Sequence, residues 1–518
     1  MSRSSANDGD RYDTVVVGAG LGGLTAGATL ARAGRDVLVL ERHSVPGGCA
    51  TTFQRMDFEF EVSLHEIEGL DEHDIKRELF DSLGLLEELN FEPVPEFYRY
   101  SRGDQELVVP HGREAAIERL TSEFPHEEAG IRRFFEVIMS IRESMSRFPL
   151  SGSLPLRRLL TFPLGNWTFL RYRTTTLGAF LDDIIEDEEL KLVLTANLGY
   201  YHDDPYSMSL PFFAAAQGGY FAGGGYYVTG GSQTLSDHLA AEIEAHGGTV
   251  RMGRLVTDLV VEDGEIAAVR HERSRPGTTE TTGRERQTTP TEAVVANAAI
   301  PLVADELLPE RYGRQLADRI EDWEVAPSLT TLYLGFETPP CDLGCEQYST
   351  VLQHPETETL ADAAEGRDSS YGRRTLNFVD YSQVDTGLTD DGKAVGAVST
   401  VDYLDSWTGL TDAEYRRKKV HVRDVLLRRL GDQYPRLPDV VEHAELATPK
   451  TIHRYTLNPG GSAYGFAQTP GQSLLNRRIE TPVPNLRFAS AWGFPGGGFT
   501  GAMASGYRAA TALLQSRD

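Results

Sequence analysis

Residues 14–41 read TVVVGAGLGGLTAGATLARAGRDVLVLE, and this stretch decides the fold. Its first four residues, TVVV, predict a short buried parallel strand. GAGLGG follows, and helix-forming residues then run to Gly34, a helix stop signal. Asp36–Leu40 (DVLVL) predicts a second strand, which ends at Glu41. Strand, glycine loop, helix, strand and acid in this order are typical of a dinucleotide-binding unit.

Each part of the loop has a chemical role in that prediction. Gly18 permits the tight turn, Gly20 lets the backbone approach a pyrophosphate, and Gly23 lets the helix pack closely on the strand. The helix N-terminus faces the anionic phosphates. The residues predicted to contact the cofactor here are Gly18, Gly20, Leu21, Gly22 and Gly23. The alternative is a glycine-rich turn that serves packing alone.

Glu41 narrows the choice of dinucleotide. A carboxylate at this position accepts hydrogen bonds from ribose hydroxyls, which favours FAD or NAD over NADP. No second GxGxxG occurs in the sequence, so a separate nicotinamide domain is not predicted.

The residues after Glu41 carry a family resemblance. ERHSVPGG (41–48) resembles the E-R-x(4)-GG loop of the flavin amine oxidase and phytoene desaturase superfamily. The resemblance implies FAD, with Arg42, Gly47 and Gly48 along the cofactor. Cys49 stands where an arginine is common, and GGC resembles the retinol saturase and carotenoid isomerase branch.

The C-terminal segment resembles the end of the same enzymes. A predicted strand (Leu486–Ala489), a glycine-rich turn and a helix to Leu514 include FPGGG (494–498), similar to their FPGQG-type ending. Ala491 replaces an acid frequent in these relatives. Trp492 either covers the flavin or packs in the core. The cofactor contacts implied here are Trp492, Gly496, Gly497, Gly498, Phe499 and Thr500.

A middle segment completes the implied cofactor domain. Residues 223–235 resemble the family's G-G-x(5)-G-G-x(3)-L stretch, after which a strand near Val256 meets the adenine. Glu292–Ala299 (EAVVANAA) predicts a strand that returns to the core. The resemblance thus implies an α/β fold: a Rossmann-like FAD-binding domain of the glutathione-reductase and amine-oxidase type, with a discontinuous mixed α+β substrate domain. The predicted ranges are 1–70, 215–300 and 476–518 for the first domain, and 71–214 and 301–475 for the second.

Two further resemblances suggest catalytic residues. ATPKTIHRYTLNPGGSAYGF (447–466) resembles the TPxTxxRF…GxxYG stretch of carotenoid isomerases, which implies Arg454 and Tyr464 at the cavity near the flavin. FEFEVSLHEIEG (58–69) resembles FDTGIHYIG of retinol saturases, and His65 there can transfer protons near neutral pH. A purely structural role stays open for each residue.

The implied activity is FAD-dependent redox work on the carbon–carbon double bonds of a long polyene: desaturation, isomerisation or saturation of a carotenoid or retinoid. Orientation, a dry tunnel and flavin electronics then supply most of the catalysis. Two alternatives stay open. One is a flavin amine oxidase, and the other is a non-catalytic binder of prenyl lipids, as in Rab GDP-dissociation inhibitors.

The composition limits the partners. The 77 acidic residues against 50 basic residues give a net charge of −27, which argues against nucleic acid as a partner. Only six of the basic residues are lysines, which suits a halophilic cytoplasm, with an ordinary acidic enzyme as the alternative. Three cysteines form no disulfide framework, which indicates a reducing compartment. No metal site is predicted, and the oligomeric state is open.

One segment departs from this acidity. Residues 144–181 contain no Asp or Glu but hold five arginines: Arg147, Arg157, Arg158, Arg171 and Arg173. Arginine with Leu, Phe and Trp is typical of a segment that lies at an anionic bilayer surface. We therefore expect membrane contact over 147–173, in a cytoplasmic protein held peripherally at the inner face of the cell membrane. The alternative is a buried segment that lacks acids.

Overall fold

The computed structural model of the chain describes residues 11–71, 74–146, 166–275, 285–389 and 392–515. The strands in these ranges are β1 (Tyr12–Val17), β2 (Val37–Leu40), β3 (Thr52–Arg55), β4 (Phe58–Glu61), β5 (Ile67–Glu68), β6 (Phe91–Pro93), β7 (Tyr98–Arg102), β8 (Gln105–Val109), β9 (Gly225–Val228), β10 (Thr249–Arg251), β11 (Arg254–Glu262), β12 (Glu265–Arg273), β13 (Gln287–Ala296), β14 (Ser328–Phe336), β15 (Ser349–Gln353), β16 (Leu376–Asp380), β17 (Ala394–Asp402), β18 (Val441–Ala447) and β19 (Leu486–Phe488).

The α-helices in the same ranges are α1 (Leu21–Arg32), α2 (Ile75–Ser82), α3 (Leu85–Glu88), α4 (Arg113–Glu123), α5 (Glu128–Ser146), α6 (Trp167–Tyr172), α7 (Leu177–Ile184), α8 (Glu188–Leu194), α9 (Leu210–Gly223), α10 (Gly231–Ala245), α11 (Ile300–Leu302), α12 (Glu310–Ala317), α13 (Leu360–Ala364), α14 (Asp412–Gln433), α15 (Pro449–Thr456) and α16 (Gly498–Gln515).

The first sheet is built around the N-terminal strand. Its order is β10-β2-β1-β13-β12-β11, and β19 pairs with β13. β1 runs parallel to both β2 and β13, so Val15 lies opposite Leu38 on one side and Val294 on the other. Helices cover such a sheet on both faces, which explains why Val15, Leu38 and Val294 are all fully buried.

The strand predicted at Glu292–Ala299 is displaced toward the N-terminus. It begins at Gln287 because residues 287–290 pair antiparallel with β12, and it ends at Ala296. Asn297 follows. Its side-chain amide lies between the loop that begins at Gly18 and the loop that follows Ala489. The chain therefore leaves the sheet three residues earlier than predicted.

The second sheet has the order β18-β14-β17-β16-β15-β7-β8. Its neighbours are antiparallel except for β15 and β7, which run parallel. Two distant parts of the chain, 98–109 and 328–447, therefore form one sheet, as a discontinuous domain requires. The three-stranded sheet β5-β9-β6 joins 67–68, 91–93 and 225–228.

Each large sheet takes its strands from separate parts of the chain, and helices cross the limits predicted at 214/215 and 300. The domain ranges themselves stay a prediction. Helix α9 spans the limit at 214/215, because its apolar residues continue through that point into the core around α5. Residues Val303, Leu307 and Leu316 pack with Val17 of the first sheet, although they follow the limit at 300. Apolar packing thus carries the first domain's core to about residue 320.

The predicted membrane-contact segment is described only from Asn166 onward; Arg147, Arg157 and Arg158 lie outside the described residues. In helix α6, Trp167 is 70% exposed, whereas Phe169 and Tyr172 are buried in the core. None of the helices in the described ranges is both long and apolar enough to cross a membrane.

Candidate active site

The glycine loop after β1 forms an anion-binding helix start. Gly18 has a left-handed φ of +92° and donates its N–H to the carbonyl of Leu40 over 2.8 Å. Gly20 begins α1, and no side chain caps the helix there. The first N–H groups of a helix lack intrahelical acceptors, so an uncapped start presents them to an anion.

Gly22 and Gly23 let neighbouring backbone carbonyls approach closer than any side chain would allow. A Cβ atom placed on Gly22 would lie 1.9 Å from the carbonyl oxygen of Ala489, and one on Gly23 would lie 2.1 Å from that of Gly18. From the other side, a Cβ on Gly506 of α16 would lie 2.1 Å from the carbonyl oxygen of Gly22. Leu21 is buried in the same core. The loop thus fixes the C-terminal helix as well as a cofactor, a contact that sequence reasoning missed.

Glu41 lies at the carboxyl end of β2, beside this loop. One carboxylate oxygen accepts from the N–H of Ala19 at 2.7 Å, and the other accepts from the N–H of His43 at 2.7 Å. A carboxylate has about four acceptor positions. Glu41 therefore orders the loop and retains capacity for the ribose hydroxyls that the sequence predicts.

The loop of Gly47 and Gly48 runs alongside the first glycine loop. Both residues are left-handed, with φ of +117° and +65°. Gly47 donates its N–H to the carbonyl of Ala19 at 2.7 Å, and Gly20 and Gly47 form a parallel bridge. Gly48 is exposed, and a Cβ there would be 3.4 Å from the Cα of Gly20. Bare backbone therefore lines this edge, as a closely approaching cofactor requires.

Arg42 has a different environment from the one predicted. Its buried guanidinium donates to the carbonyl oxygens of Arg454 at 2.7 Å and Tyr455 at 2.5 Å, near the C-terminus of α15. A cation is favourable there because the helix dipole places negative charge at this end. Burial lowers the pKa of Arg42. Arg42 thus joins the cofactor loop to α15, and its contact with FAD stays a prediction.

The prediction of a catalytic role for Arg454 does not fit the structure. Its side chain is exposed, with the guanidinium carbon 5.6 Å from the centre of the Tyr455 ring. Its backbone carbonyl accepts a hydrogen bond from Arg42.

The C-terminal turn brings three glycines to the start of α16. A Cβ on Gly496 would lie 2.9 Å from the ring of Phe212, and one on Gly497 would lie 2.6 Å from the carbonyl oxygen of Tyr464. Gly498 begins the helix, Phe499 packs between two hydrophobic clusters, and the buried hydroxyl of Thr500 has no partner in the described part of the chain. The turn therefore presents a helix N-terminus and an unused hydroxyl.

Arg477, which the sequence did not suggest, lies fully buried beside this turn. It donates to the carbonyls of Gln472, Phe466 and Ala467 at 3.0, 2.5 and 2.9 Å, and burial lowers its pKa to about 9. Its Nη1 lies 3.2 Å from where a Cβ on Gly496 would be. The turn thus has positive charge next to it.

Trp492 packs in the core rather than covering the flavin. Its side chain is 2% exposed, its indole N–H donates to Asn458 over 3.2 Å, and its ring meets Phe466 edge-on at 4.9 Å. The indole therefore belongs to the core, the second of the two roles left open. Val256 is also buried, in β11 opposite His271, and its backbone contact with adenine stays a prediction.

His65 lies in a cluster of aromatic side chains that includes Tyr200 and Tyr381. Its Nδ1 lies 2.7 Å from the hydroxyl oxygen of Tyr200, and the two rings meet edge-on at 5.2 Å. Hydroxyls of Tyr348 and Tyr381 donate to the carbonyls of His65 and Leu64, which fixes the backbone. Burial lowers the pKa of His65 to about 4, so the imidazole is neutral at physiological pH.

Tyr464 and Cys49 both have pKa values raised by burial. For Tyr464, nearby Cys49 raises the pKa further. The pKa of the Cys49 thiol is raised to about 11, so it is not a thiolate nucleophile. Tyr464 in turn raises the pKa of Tyr200. The catalytic roles predicted for His65 and Tyr464 stay predictions.

Glu66 is a residue of this region that sequence reasoning missed. Its Oε2 is buried and has no hydrogen-bond partner among the described residues. Burial, then the nearby carboxylates of Glu96 and Glu68, raise the pKa of Glu66 well above its usual value. This direction favours the protonated form of the carboxyl. The available signal was the acid directly after His65 in FEFEVSLHEIEG.

One known protein family matches almost the whole chain. The sequence model described as "Flavin containing amine oxidoreductase" matches residues 21–514. The chain belongs to this family. Its predicted cofactor, FAD, and its predicted fold class are thereby confirmed.

The similar proteins place this flavoprotein within the family. It is 24% identical to an all-trans-retinol 13,14-reductase from Danio rerio, over 92% of this chain and 81% of that protein. It is 26% identical to prolycopene isomerase 1 from an Oncidium hybrid cultivar, over 96% of this chain and 83% of that one. The predicted relationship to carotenoid isomerases and retinol saturases is confirmed.

A solved cyclohexylamine oxidase from Brevibacterium oxydans has the same fold as this flavoprotein. The TM-score is 0.59 at 16% identity, with 98% of each chain covered. At that identity the likeness extends to the fold alone.

The geometry determines what this flavoprotein can do with its own residues. Burial favours the neutral form of each of these groups: the His65 imidazole, the Glu66 carboxyl, the Tyr464 phenol and the Cys49 thiol. FAD, when bound, accepts or delivers a hydride equivalent.

Proposed function

We propose that this flavoprotein acts on the carbon–carbon double bonds of a long polyene. The observation that carries the proposal is the aromatic cluster around the neutral imidazole of His65, whose Nδ1 lies 2.7 Å from the Tyr200 hydroxyl. Such a cluster suits an apolar substrate whose conjugation spreads developing charge. Similarity to a retinol reductase and to a prolycopene isomerase over more than nine-tenths of the chain supports it.

Two groups here can handle protons. Glu66 holds a proton that it can donate to a polyene carbon, and it can take a proton back as a carboxylate. His65 is neutral and in contact with the hydroxyl of Tyr200, so it can accept a proton only at the cost of charging a buried ring. Glu66 is therefore the stronger candidate for an acid, and His65 for a positioning residue that orients Tyr200.

The test uses the FAD-loaded protein, which should be yellow with absorbance near 450 nm. It is supplied with polyenes or with amines, and the products are separated by chromatography while peroxide is followed. A change in polyene saturation or geometry is expected. Oxidised amines with peroxide release and unchanged polyenes would instead establish the alternative, an amine oxidase.

We further propose that the polyene is taken from a bilayer at the inner face of the membrane, in a salt-adapted cytoplasm. The sequence around 147–173 supports this because it combines arginines with no acids. Exposed Trp167 in α6 is suited to the bilayer interface. Phe169 and Tyr172, which are buried, contribute to the core instead.

A further inference from the structure

A polar pocket lies beside Tyr200. It has a volume of about 80 Å³ between the 196–203 segment and the second sheet, and its lining includes Tyr200, His202, Asn377 and Thr400. It shares His202, Gln353 and Thr375 with a larger adjoining cleft of about 1080 Å³. Tyr200 joins this pocket to the His65 cluster, because the residue lines the pocket and its hydroxyl contacts His65.

Two buried polar atoms in this pocket have no partner among the described residues. They are the Oδ1 of Asn377 and the Nε2 of His202, on side chains that are 5% and 6% exposed. Other polar groups in the lining are satisfied: Thr400 donates to the carbonyl of Thr375, whose hydroxyl donates to Gln353. A buried polar atom without a partner is costly, so the pocket is built for a polar group that is not part of this chain.

The hydrogen-bond roles of the two atoms identify that group. Nδ1 of His202 lies 3.0 Å from the N–H of Asp203, 3.1 Å from that of Asp204 and 3.1 Å from the Asp203 carboxylate. Nδ1 thus has its partners within the chain, and Nε2 faces the pocket without one among the described residues. Asn377 Oδ1 is an acceptor. A hydroxyl group is complementary to both atoms, because it donates one hydrogen bond and accepts others.

We propose that this pocket binds a hydroxyl-bearing end of the substrate, so that the polyene acted on is an alcohol rather than a pure hydrocarbon. The inference rests on the proposed function and specifies its substrate class. The polar end is held behind Tyr200, and the conjugated chain extends past the Tyr200–His65 contact toward the flavin turns. The residues involved position the substrate and take no part in the chemical step.

The test measures binding to the FAD-loaded protein by the change in flavin absorbance, with no turnover required. The probes are all-trans-retinol and its deoxy hydrocarbon, which differ only in the hydroxyl. The wild-type protein should bind the alcohol about tenfold more tightly. Asn377→Leu should remove most of that ratio while leaving hydrocarbon binding unchanged. Comparison of this ratio between the wild type and the variant cancels the different partitioning of the two probes into micelles.

Asn197→Leu is the matched control. Asn197 is also buried with an unpartnered Oδ1, but it does not line the pocket, so the ratio should stay at the wild-type value. Equal binding of alcohol and hydrocarbon by the wild-type protein would overturn the pocket assignment and leave the polyene function standing. An equal loss of affinity for both probes in Asn377→Leu would also overturn the pocket assignment. Binding of neither probe, with no polyene turned over, would refute the proposed function itself. If Asn377→Leu does not fold, the wild-type comparison decides alone.

Discussion

His65 Nδ1 lies 2.7 Å from the hydroxyl oxygen of Tyr200, a contact between residues 135 positions apart in the chain. It links the strand region after β4 to the segment after α8, and so joins the part that carries the cofactor loops to the helical part of the substrate domain. The same tyrosine lines the polar pocket. One side chain thus lies between the proposed site of chemistry and the proposed site of substrate anchoring.

The neutral state of His65 predicts an acid-sensitive contribution to stability. Its pKa is about 4 when folded against an ordinary 6.5, so between these values the unfolded chain takes up a proton that the folded one does not. The contribution is present above pH 6.5 and is lost as pH falls toward 4, by at most about 3 kcal/mol. His65→Asn should flatten the fall in the free energy of unfolding over this range, measured by urea denaturation. His421→Asn, at an exposed position, should leave the fall unchanged. The pKa of His111 is also lowered to about 4, so the His65→Asn variant keeps a residual slope.

The protonated state of Glu66 predicts the opposite pH dependence. Its folded pKa is raised, so above pH 4.5 the unfolded chain releases a proton that the folded chain retains, and stability is lost as pH rises. Glu66→Gln should therefore raise Tm by a few degrees at pH 8 and leave it unchanged at pH 4. Thermal unfolding by circular dichroism measures this. Glu114→Gln, at an exposed position, is the control; an equal Tm for Glu66→Gln and wild type at pH 8 would mean that Glu66 is ionised.

Close backbone packing predicts that Gly22→Ala weakens both fold and cofactor binding. The added Cβ would meet the carbonyl oxygen of Ala489 at 1.9 Å and force α1 away from α16. Overpacking of this kind costs about 1–3 kcal/mol. Lower Tm and lower FAD content after gel filtration are expected. Gly471→Ala, where no atom lies within 4 Å of the new Cβ, should resemble the wild type; full FAD content in Gly22→Ala would contradict the packing argument.

The membrane proposal predicts charge-dependent vesicle binding. Changing Arg157, Arg158, Arg171 and Arg173 to Glu should reduce cosedimentation with anionic vesicles at least tenfold, since each arginine near such a surface contributes about 1 kcal/mol. The 450 nm absorbance should be unchanged. A matched control changes four exposed arginines elsewhere to Glu: Arg416, Arg417, Arg428 and Arg436. Equal binding by both variants would remove the segment as a docking surface.

The local predictions succeeded where short-range rules decide. The strand, glycine loop, helix, strand and acid over 14–41 form as predicted, since each depends on neighbours in sequence. The C-terminal helix, predicted to end at Leu514, ends at Gln515. Tertiary contacts decide what local rules do not. Trp492 is buried because it packs against Phe466 and donates to Asn458.

The sequence by itself determined the dinucleotide fold, because glycine spacing and strand periodicity encode backbone geometry directly. The flavin and the family followed from the resemblance of several motifs to a known superfamily. Only the tertiary structure decided which side chains share a cavity. Burial and the nearby Glu96 favour the protonated form of Glu66, and His202 and Asn377 meet at one pocket although 175 positions separate them. Desolvation and long-range proximity arise only when the chain has packed, so no local pattern of residues could predict them.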